Sequence, residues 1–263
     1  MNYPKRVTIE LTNKCNRSCR DCPRHKMIGP QGFMDVNLFK KIVDQLPKET
    51  VIVPFFRGEP LLHPNFPELM SMLSKFDNVQ IATNGDLIDT WATHDIMDNC
   101  TFVSVSLHGN LSPTKKLRRF FLECSHYGLT TQVSVLDNQV EGCLSTFKKE
   151  WSFVDRIRIY KTHSKHGFGS LSGKVRWPRV PCEKPFTETL VYWDGRVGLC
   201  NHDWNNRTYI GDLNTQSLKE VLLGDELSRV CRYHVTGSRT QVPSCKNCDF
   251  VPNVVQGELY VNN

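Results

Sequence analysis

The chain has 263 residues, enough for one α/β barrel or for one full-sized domain with a small appendage. Its net charge of +6 comes from Lys and Arg residues spread along the chain, without the basic stripe and interleaved aromatic residues that are typical of nucleic-acid-binding proteins. It contains no run of eighteen apolar residues and no signal-peptide core near Met1, which predicts a soluble, cytoplasmic protein without a membrane partner.

The chain contains 11 cysteines, and a reducing cytoplasm would not keep them as disulfides. Metal or cluster ligation is therefore the better interpretation. Their positions agree with it, because most of them fall into two groups. The first group is Cys15, Cys19 and Cys22, and the second group is Cys182, Cys200, Cys245 and Cys248.

Short β-branched runs alternate with amphipathic segments, a pattern typical of βα units around a parallel sheet. The predicted strands lie near residues 7–11, 51–55, 79–82, 102–107, 131–135 and 156–160. Apolar residues at helical spacing predict helices near 38–46, 69–76, 87–97, 115–126 and 144–151. Six strands are fewer than the eight of a closed TIM barrel, so the sequence predicts an α/β fold with a partial (β/α)6 TIM-type barrel.

A boundary is predicted after the sixth strand, where Gly and Pro are frequent between Lys161 and Pro181. The predicted organisation is a barrel domain over 1–165, a linker or lid over 166–181, and a small C-terminal domain over 182–263.

Within that C-terminal segment, Asp194-Gly195 predicts a β-hairpin. Apolar residues between Leu218 and Val230 predict a helix. The segment is too small to hold a hydrophobic core alone, so we expect a bound cluster to stabilise it.

The first cysteine group forms a Cys-x3-Cys-x2-Cys loop directly after the first predicted strand. Three thiolates on one loop can bind three irons of a [4Fe–4S] cluster, and the fourth iron then has no protein ligand. Such an open position lets a cosubstrate coordinate, whereas a site with four protein ligands is closed. Structural zinc is the alternative, because His25 follows Cys22 closely and could supply a fourth ligand.

Polar motifs follow the next three predicted strands. Residues 56–60 read Phe-Arg-Gly-Glu-Pro, residues 82–85 read Ala-Thr-Asn-Gly, and the fourth strand carries Ser104, Ser106 and His108. Together with the cysteine loop, these segments resemble the motifs of the radical S-adenosylmethionine (SAM) superfamily. In that family they bind the amino group of SAM, face its ribose and line the cosubstrate. All four lie at successive strand ends, where α/β barrels keep their active sites.

The resemblance implies SAM-binding roles for residues from these motifs. They are Gly58, Glu59, Pro60, Thr83, Asn84, Ser104, Ser106 and His108. Glu59 supplies a carboxylate for an ammonium group, and Gly58 lets the backbone approach closely. Two residues depart from the family pattern. Arg57 stands where the family often has glycine, and Asp21 stands where an aromatic or apolar residue usually lies near adenine.

The second cysteine group resembles the auxiliary-cluster domain of the SPASM and twitch branch of this superfamily. The resemblance includes Asp-Gly-Arg-Val-Gly-Leu-Cys at 194–200, Ile-Gly-Asp-Leu at 210–213 and Pro-Ser-Cys-Lys-Asn-Cys at 243–248. It implies one auxiliary [4Fe–4S] cluster that is closed to substrate. Its ligands would be Cys182, Cys200, Cys245 and Cys248. A zinc ribbon is the alternative, because four cysteines ending in Cys-x2-Cys also suit zinc.

The resemblance also implies a reaction. SAM on the N-terminal cluster is cleaved reductively, and the resulting 5′-deoxyadenosyl radical abstracts a hydrogen atom from the substrate. A closed second cluster can accept one electron, which favours an oxidoreductase similar to the short aminocyclitol dehydrogenases of the twitch branch. We predict a small polar substrate such as a sugar, aminocyclitol or nucleoside, and a one-electron donor such as flavodoxin or ferredoxin.

Other interpretations stay open at this point. An epimerase or a peptide maturase would use a cysteine to donate a hydrogen atom, with Cys100, Cys143 and Cys231 as candidates. Peptide-maturing members often carry an N-terminal leader-binding domain, which we do not expect here because the first strand is predicted so early. Candidates for holding or deprotonating the substrate are Arg156, Arg158, His163 and His166. A zinc-stapled binding module is the remaining, non-enzymatic interpretation.

Overall fold

The computed structural model describes residues 3–20, 22–88, 92–160, 182–246, 248 and 258–262. The strands are β1 (Arg6–Ile9), β2 (Val51–Val53), β3 (Gln80–Thr83), β4 (Phe102–Ser106), β5 (Thr130–Leu136), β6 (Arg156–Tyr160), β7 (Glu188–Val191), β8 (Arg196–Gly198), β9 (Tyr209–Asp212) and β10 (Glu258–Val261). The helices are α1 (Val36–Val43), α2 (Phe66–Ser71), α3 (Ala92–Asn99), α4 (Lys115–His126), α5 (Leu144–Glu150), α6 (Lys184–Thr187), α7 (Leu218–Leu223) and α8 (Asp225–Val235).

Some of the sequence predictions concern residues outside these ranges. His163, His166, Asp21 and the predicted linker or lid at 166–181 lie outside the described residues. Within the described ranges, no helix has the length and apolar composition needed to cross a lipid bilayer.

Strands β1 to β6 form the predicted partial barrel. β1 pairs with β2 in parallel, and β3, β4, β5 and β6 pair in parallel in that order. A parallel bridge between Ile52 and Val79 connects β2 with the start of β3. The fold class predicted from the sequence is therefore confirmed.

Strands from the C-terminal part of the chain cover both edges of this sheet. β7 pairs in parallel with β1, and β8 and β9 extend that edge with antiparallel pairing. At the other edge β10 pairs antiparallel with β6, with Leu259 opposite Arg158. Unpaired strand edges invite aggregation, so these strands protect the open barrel. Because β8 ends just before Cys200, the same pairing fixes the second cysteine group beside the barrel.

The single helix predicted between Leu218 and Val230 is wrong, because two helices lie there. A capping box starts α7: Ser217 Oγ accepts a bond from the Glu220 backbone N–H, and the Glu220 carboxylate accepts one from the Ser217 N–H. Gly224 is extended (φ −71°, ψ 158°), which ends α7 and begins α8. Among common residues only proline forms helices less readily than glycine, which accounts for the break.

Strands β4, β5 and β6 each have one apolar and one polar face. Their apolar residues belong to the same buried core as Phe120 and Phe121 of α4. These residues are Val103, Val105, Val133, Val135, Ile157 and Ile159. Because successive side chains of a strand point to opposite faces, the alternate residues point into the barrel. These are Ser104, Ser106, Gln132, Ser134 and Arg158, so the barrel interior is hydrophilic.

The core outside the barrel centres on Trp151, which is fully buried. Its ring lies 5.5 Å from the Phe153 ring and 6.0 Å from the Phe121 ring, and its Nε1 donates a 2.7 Å hydrogen bond to the Leu111 carbonyl.

Replacing Trp151 with Ala should lower the free energy of unfolding by about 3–5 kcal/mol, because it leaves a large cavity. Urea denaturation measures this. The control L122A removes a side chain that is 53% exposed on α4 and should change the free energy of unfolding little. Equal losses of this free energy in the two variants would contradict the central place of Trp151 in the core.

Candidate active site

A cavity of about 1000 Å³ opens where the barrel strands end. It is lined by the first cysteine group and by nearly all of the residues predicted to bind SAM. The lining includes Cys15, Cys19, Cys22, Gly58, Glu59, Thr83, Asn84, Ser104, Ser106, His108 and Arg158. Pro60 differs from the others, because it is buried at the start of a 3-10 turn (Pro60–Leu62) that packs beneath the site.

Side chains that follow β3 hold the first cysteine loop in place. Asn84 Nδ2 donates a 2.7 Å hydrogen bond to Asn16 Oδ1, and Asn16 Nδ2 donates to Asp86 Oδ2 at 3.0 Å. Arg17 forms a two-pronged pair with Asp86, with Nε 2.7 Å from Oδ2 and Nη2 bonded to Oδ1. The bond from Arg17 lowers the pKa of Asp86, so the pair is ionised at neutral pH. These bonds fix the cysteine loop against the segment that follows β3.

The thiols of this loop suit a cluster with three protein ligands. Burial is the main cause that raises the pKa of Cys19, and the neighbouring Cys22 raises it further. Arg17 lowers this pKa and so favours the thiolate that a metal requires. His25 does not complete the set, because it is exposed and its Nε2 lies 2.8 Å from the Cys19 carbonyl oxygen. Among the described residues, no three His, Cys, Asp or Glu side chains approach closely enough to share one metal ion. Without His25, the loop offers three thiols, which is the ligand count of a [4Fe–4S] cluster with one iron open.

Glu59 connects two of the predicted SAM motifs. Its carboxylate is buried and accepts bonds from Thr83 Oγ1 at 2.7 Å, from the Asn84 backbone N–H at 2.8 Å and from the Leu61 backbone N–H at 3.2 Å. Burial raises the pKa of Glu59, whereas these donors oppose the rise. A carboxylate can accept about four hydrogen bonds, so Glu59, which lines the large cavity, has one acceptor position left for a further donor.

Gly58 lies where the backbones after β1 and β2 touch. The neighbouring Glu59 N–H donates a 2.8 Å bond to the Lys14 carbonyl. A Cβ at position 58 would collide with the carbonyl oxygens of Thr12 and Lys14. The glycine is therefore required for the close approach that the sequence suggested, and it positions the cysteine loop against the SAM motif.

Arg57, which lines the large cavity, also forms a buried ion pair with Glu10. Its Nε and Nη2 donate to the two carboxylate oxygens of Glu10 at 2.6 and 2.7 Å, and its Nη1 donates to the Trp204 carbonyl at 2.6 Å. The side chains of Arg57 and Glu10 are 4% and 0% exposed. The Tyr192 ring lies 4.6 Å from the guanidinium carbon. Arg57 thus joins the barrel to the segment that carries the second cysteine group.

The second cysteine group lines a smaller cavity. Cys182, Cys200, Cys245 and Cys248 all contribute to its wall, with His234 and Arg239. Burial raises the pKa of Cys245 to about 12 and also raises the pKa of Cys200, so ligation must release these protons. Four thiols on one buried cavity suit a fully ligated cluster.

Asp203 fixes two of the segments that carry this second group. It is fully buried, its N–H donates to the Cys200 carbonyl at 2.9 Å, and its Oδ2 accepts a 2.6 Å bond from Ser244 Oγ. The segment also reaches the large cavity, because Asn201 and Trp204 line it. The segment that follows Cys200 therefore connects the smaller cavity with the large one.

Several functional residues were missed by the sequence analysis. Gln132 and Ser134 line the large cavity from β5, and the polar-apolar alternation of this strand was the available signal. Glu10, Asp203 and His234 gave no local signal, because each acts through partners that are distant in the sequence.

The predicted hydrogen donors lie elsewhere. Cys100 is buried in the core, Cys143 is exposed at the start of α5, and Cys231 lies on α8 with its Sγ 3.8 Å from the Pro185 carbonyl. Among the cysteines that the structure describes, Cys15, Cys19 and Cys22 are those that line the large cavity.

The fold and this site define an α/β-barrel enzyme with two cysteine-rich centres. A family model of the radical SAM superfamily matches residues 9–120, and one of the SPASM iron–sulfur cluster-binding domain matches residues 182–249; together they cover more than half of the chain. The chain belongs to the radical SAM superfamily and carries a SPASM-type iron–sulfur domain. These matches confirm the predicted family, and with it SAM and iron–sulfur clusters as the cofactors.

A curated relative and two solved structures resemble this chain over most of its length. The S-adenosyl-L-methionine-dependent 2-deoxy-scyllo-inosamine dehydrogenase of Niallia circulans is 22% identical over 252 residues, which are 93% of this chain and 92% of that protein. The crystal structure of BtrN in complex with AdoMet and 2-DOIA has a TM-score of 0.66 at 21% identity, covering 95% of this chain and 94% of that one. Streptococcus suis SuiB bound to precursor peptide SuiA has a TM-score of 0.65 at 12% identity, covering 95% and 72%. The structural likenesses show the fold alone.

The Glu10–Arg57 pair gives a testable stability prediction. Replacing Arg57 with Leu should lower the free energy of unfolding by about 3–5 kcal/mol, because it leaves the Glu10 carboxylate buried and unpaired. The double variant Glu10→Leu with Arg57→Leu should recover part of this loss, because no charge is left buried alone. Guanidinium denaturation of the four proteins of this cycle measures the coupling.

The matched control is Lys40→Ala, which breaks an exposed pair with Asp44 on α1 and should leave stability nearly unchanged. If the losses of the two single variants add fully in the double variant, Glu10 and Arg57 do not act as a pair.

Proposed function

We propose that this enzyme oxidises an alcohol of a small polyhydroxylated molecule, such as an aminocyclitol, a sugar or a nucleoside, to a carbonyl. The hydrophilic barrel interior is the observation that carries the proposal, because a packed barrel would be lined with branched apolar residues. The Niallia circulans relative, which matches nearly the whole chain, is named as a dehydrogenase of such a molecule.

We assign the SAM-binding role to the motifs at the strand ends. Cys15, Cys19 and Cys22 would hold the cluster that binds SAM, and the remaining acceptor position of Glu59 would hold the SAM ammonium group. When bound, SAM and its cluster supply a hydrogen-abstracting 5′-deoxyadenosyl radical, and a cluster on the second cysteine group supplies an acceptor for one electron. Gly58, Thr83, Asn84, Ser106 and His108 would shape the cosubstrate pocket.

A polar cluster inside the barrel is suited to substrate hydroxyl groups. Ser104 Oγ and Ser134 Oγ are 2.8 Å apart, and Gln132 Nε2 lies 3.2 Å and 3.0 Å from them. Hydroxyl groups both donate and accept, so this cluster can exchange its internal bonds for bonds to a diol. Arg158 lies opposite Ser134 in the β5–β6 register and adds a cation that favours a deprotonating or anionic oxygen.

The placement of the cysteines supports oxidation over epimerisation. A hydrogen donor must touch the substrate, and within the described part of the chain neither Cys100, Cys143 nor Cys231 lines the large cavity. The segment after Cys200 does line it, through Asn201 and Trp204. A substrate there would lie beside the second cysteine group, which suits the loss of an electron.

The charged residues beside the first cysteine loop suggest what kind of electron donor binds there. Arg20, His25 and Lys26 are exposed beside the first cysteine loop. An acidic one-electron donor such as flavodoxin or ferredoxin would be attracted to this positive surface.

Cysteine replacements separate the two halves of the reaction. Cys19→Ala should abolish 5′-deoxyadenosine formation, because the cluster that binds SAM loses a ligand. Cys245→Ala should retain 5′-deoxyadenosine formation and impair formation of the oxidised product. Anaerobic assays that quantify both products test this, with Cys143→Ala as the control because that thiol is exposed. Normal product yield in Cys245→Ala would overturn the proposed redox role of the second group.

The barrel interior gives a second test. Gln132→Leu should raise KM about tenfold, because a lost hydrogen bond in a buried site costs about 1–3 kcal/mol. Substrate-dependent 5′-deoxyadenosine release measures this on a panel of aminocyclitols, sugars and nucleosides that begins with 2-deoxy-scyllo-inosamine. Ser125→Ala, on the exposed surface of α4, is the control. Absence of stimulation by every compound in the panel, or an unchanged KM in Gln132→Leu, would contradict the proposal.

A further inference from the structure

His234 lies between two cysteines of the second group. It is on α8 and only 1% exposed. The backbone N–H of Cys182 donates to its Nδ1 at 3.3 Å, and its Nε2 is 3.4 Å from Cys245 Sγ. The ring also packs edge-on against Phe186, with the ring centroids 6.5 Å apart, which limits its rotation. The imidazole therefore bridges two segments that are distant in the sequence.

These contacts determine where the imidazole proton lies. A backbone N–H only donates, so Nδ1 must accept from Cys182 and carries no proton. In a neutral imidazole the proton is then on Nε2. The short Nε2 to Sγ distance is thus an N–H···S hydrogen bond in which His234 donates to Cys245.

We infer that His234 is a positioning residue that raises the reduction potential of the auxiliary cluster through its hydrogen bond to the Cys245 sulfur. Reduction adds negative charge to a cluster and its thiolates, and a donor aimed at a sulfur stabilises that charge. Cys245 is 9% exposed, so water competes little with this bond. The buried guanidinium of Arg239, which lines the same cavity, acts in the same direction.

The inference rests on the proposed function, in which this site receives an electron. Oxidation of an alcohol to a carbonyl removes two electrons and two protons. One hydrogen atom leaves the carbon with the deoxyadenosyl group, the hydroxyl proton goes to solvent or a base, and the last electron reduces the auxiliary cluster. A higher potential at the second site favours this last transfer, so His234 biases the reaction toward oxidation.

Redox titration of the anaerobically reconstituted holoenzyme, monitored by EPR, tests the inference. His234→Leu removes the donor and should lower the potential of the auxiliary cluster, disfavouring its reduction about tenfold, which corresponds to about 59 mV for one electron. His234→Gln keeps an N–H donor near the position of Nε2 and should restore most of the potential. His63→Leu is the control, because it also removes a histidine that is 1% exposed and hydrogen-bonded, outside both cavities.

An unchanged auxiliary potential in His234→Leu, with full iron content, would overturn the inference. If that variant fails to load iron, the wild-type holoenzyme provides the test. ENDOR on protein labelled with ¹⁵N-histidine should show one ring nitrogen coupled to the auxiliary cluster. Absence of this coupling would also overturn the inference. Neither measurement needs substrate. A shifted potential together with a non-oxidised product would instead refute the proposed function and leave the role of His234 intact.

Discussion

The arrangement of the whole site depends on the buried ion pair between Glu10 and Arg57. Desolvating two charges is costly, so such a pair persists only where its geometry is close to ideal and its remaining hydrogen bonds are satisfied. Here both carboxylate oxygens are engaged, and the third guanidinium donor binds the Trp204 carbonyl. Because Glu10 follows β1, Arg57 precedes Gly58 and Trp204 follows Cys200, one interaction fixes the SAM motif relative to both cysteine groups.

The second constraint is the two-faced character of the barrel strands. Valine and isoleucine on one face bury the sheet against the helices. Serine, glutamine and arginine on the other face leave the interior accessible to a polar ligand. A closed barrel would fill this space with side chains. The open barrel instead leaves a cavity of about 1000 Å³, and the C-terminal strands satisfy the sheet edges that openness creates. One of the same strands, β8, leads to Cys200, and the segment after Cys200 lines this cavity through Asn201 and Trp204.

Local signals in the sequence were sufficient for the strands and helices of the barrel. The β-branched runs predicted β4 and β6 closely, and the resemblance of the two cysteine segments to a known family implied both clusters. Features that depend on distant partners were not predictable. The pairing of β7 with β1 and the ion pair of Arg57 require knowledge of which segments meet in space. At Gly224 the local pattern itself was misleading. The apolar periodicity continues across this residue and predicted one helix, whereas its extended backbone separates two helices.

The proposed chemistry requires that the first cysteine group leave one iron open to SAM and that the second group be closed. Mössbauer spectroscopy of ⁵⁷Fe-reconstituted enzyme, recorded with and without SAM, tests it most directly. We expect about eight irons per chain, which is the content of two [4Fe–4S] clusters, and a shift in the signal of a single iron site when SAM is added. Bound zinc in place of iron, or iron signals that do not respond to SAM, would contradict it.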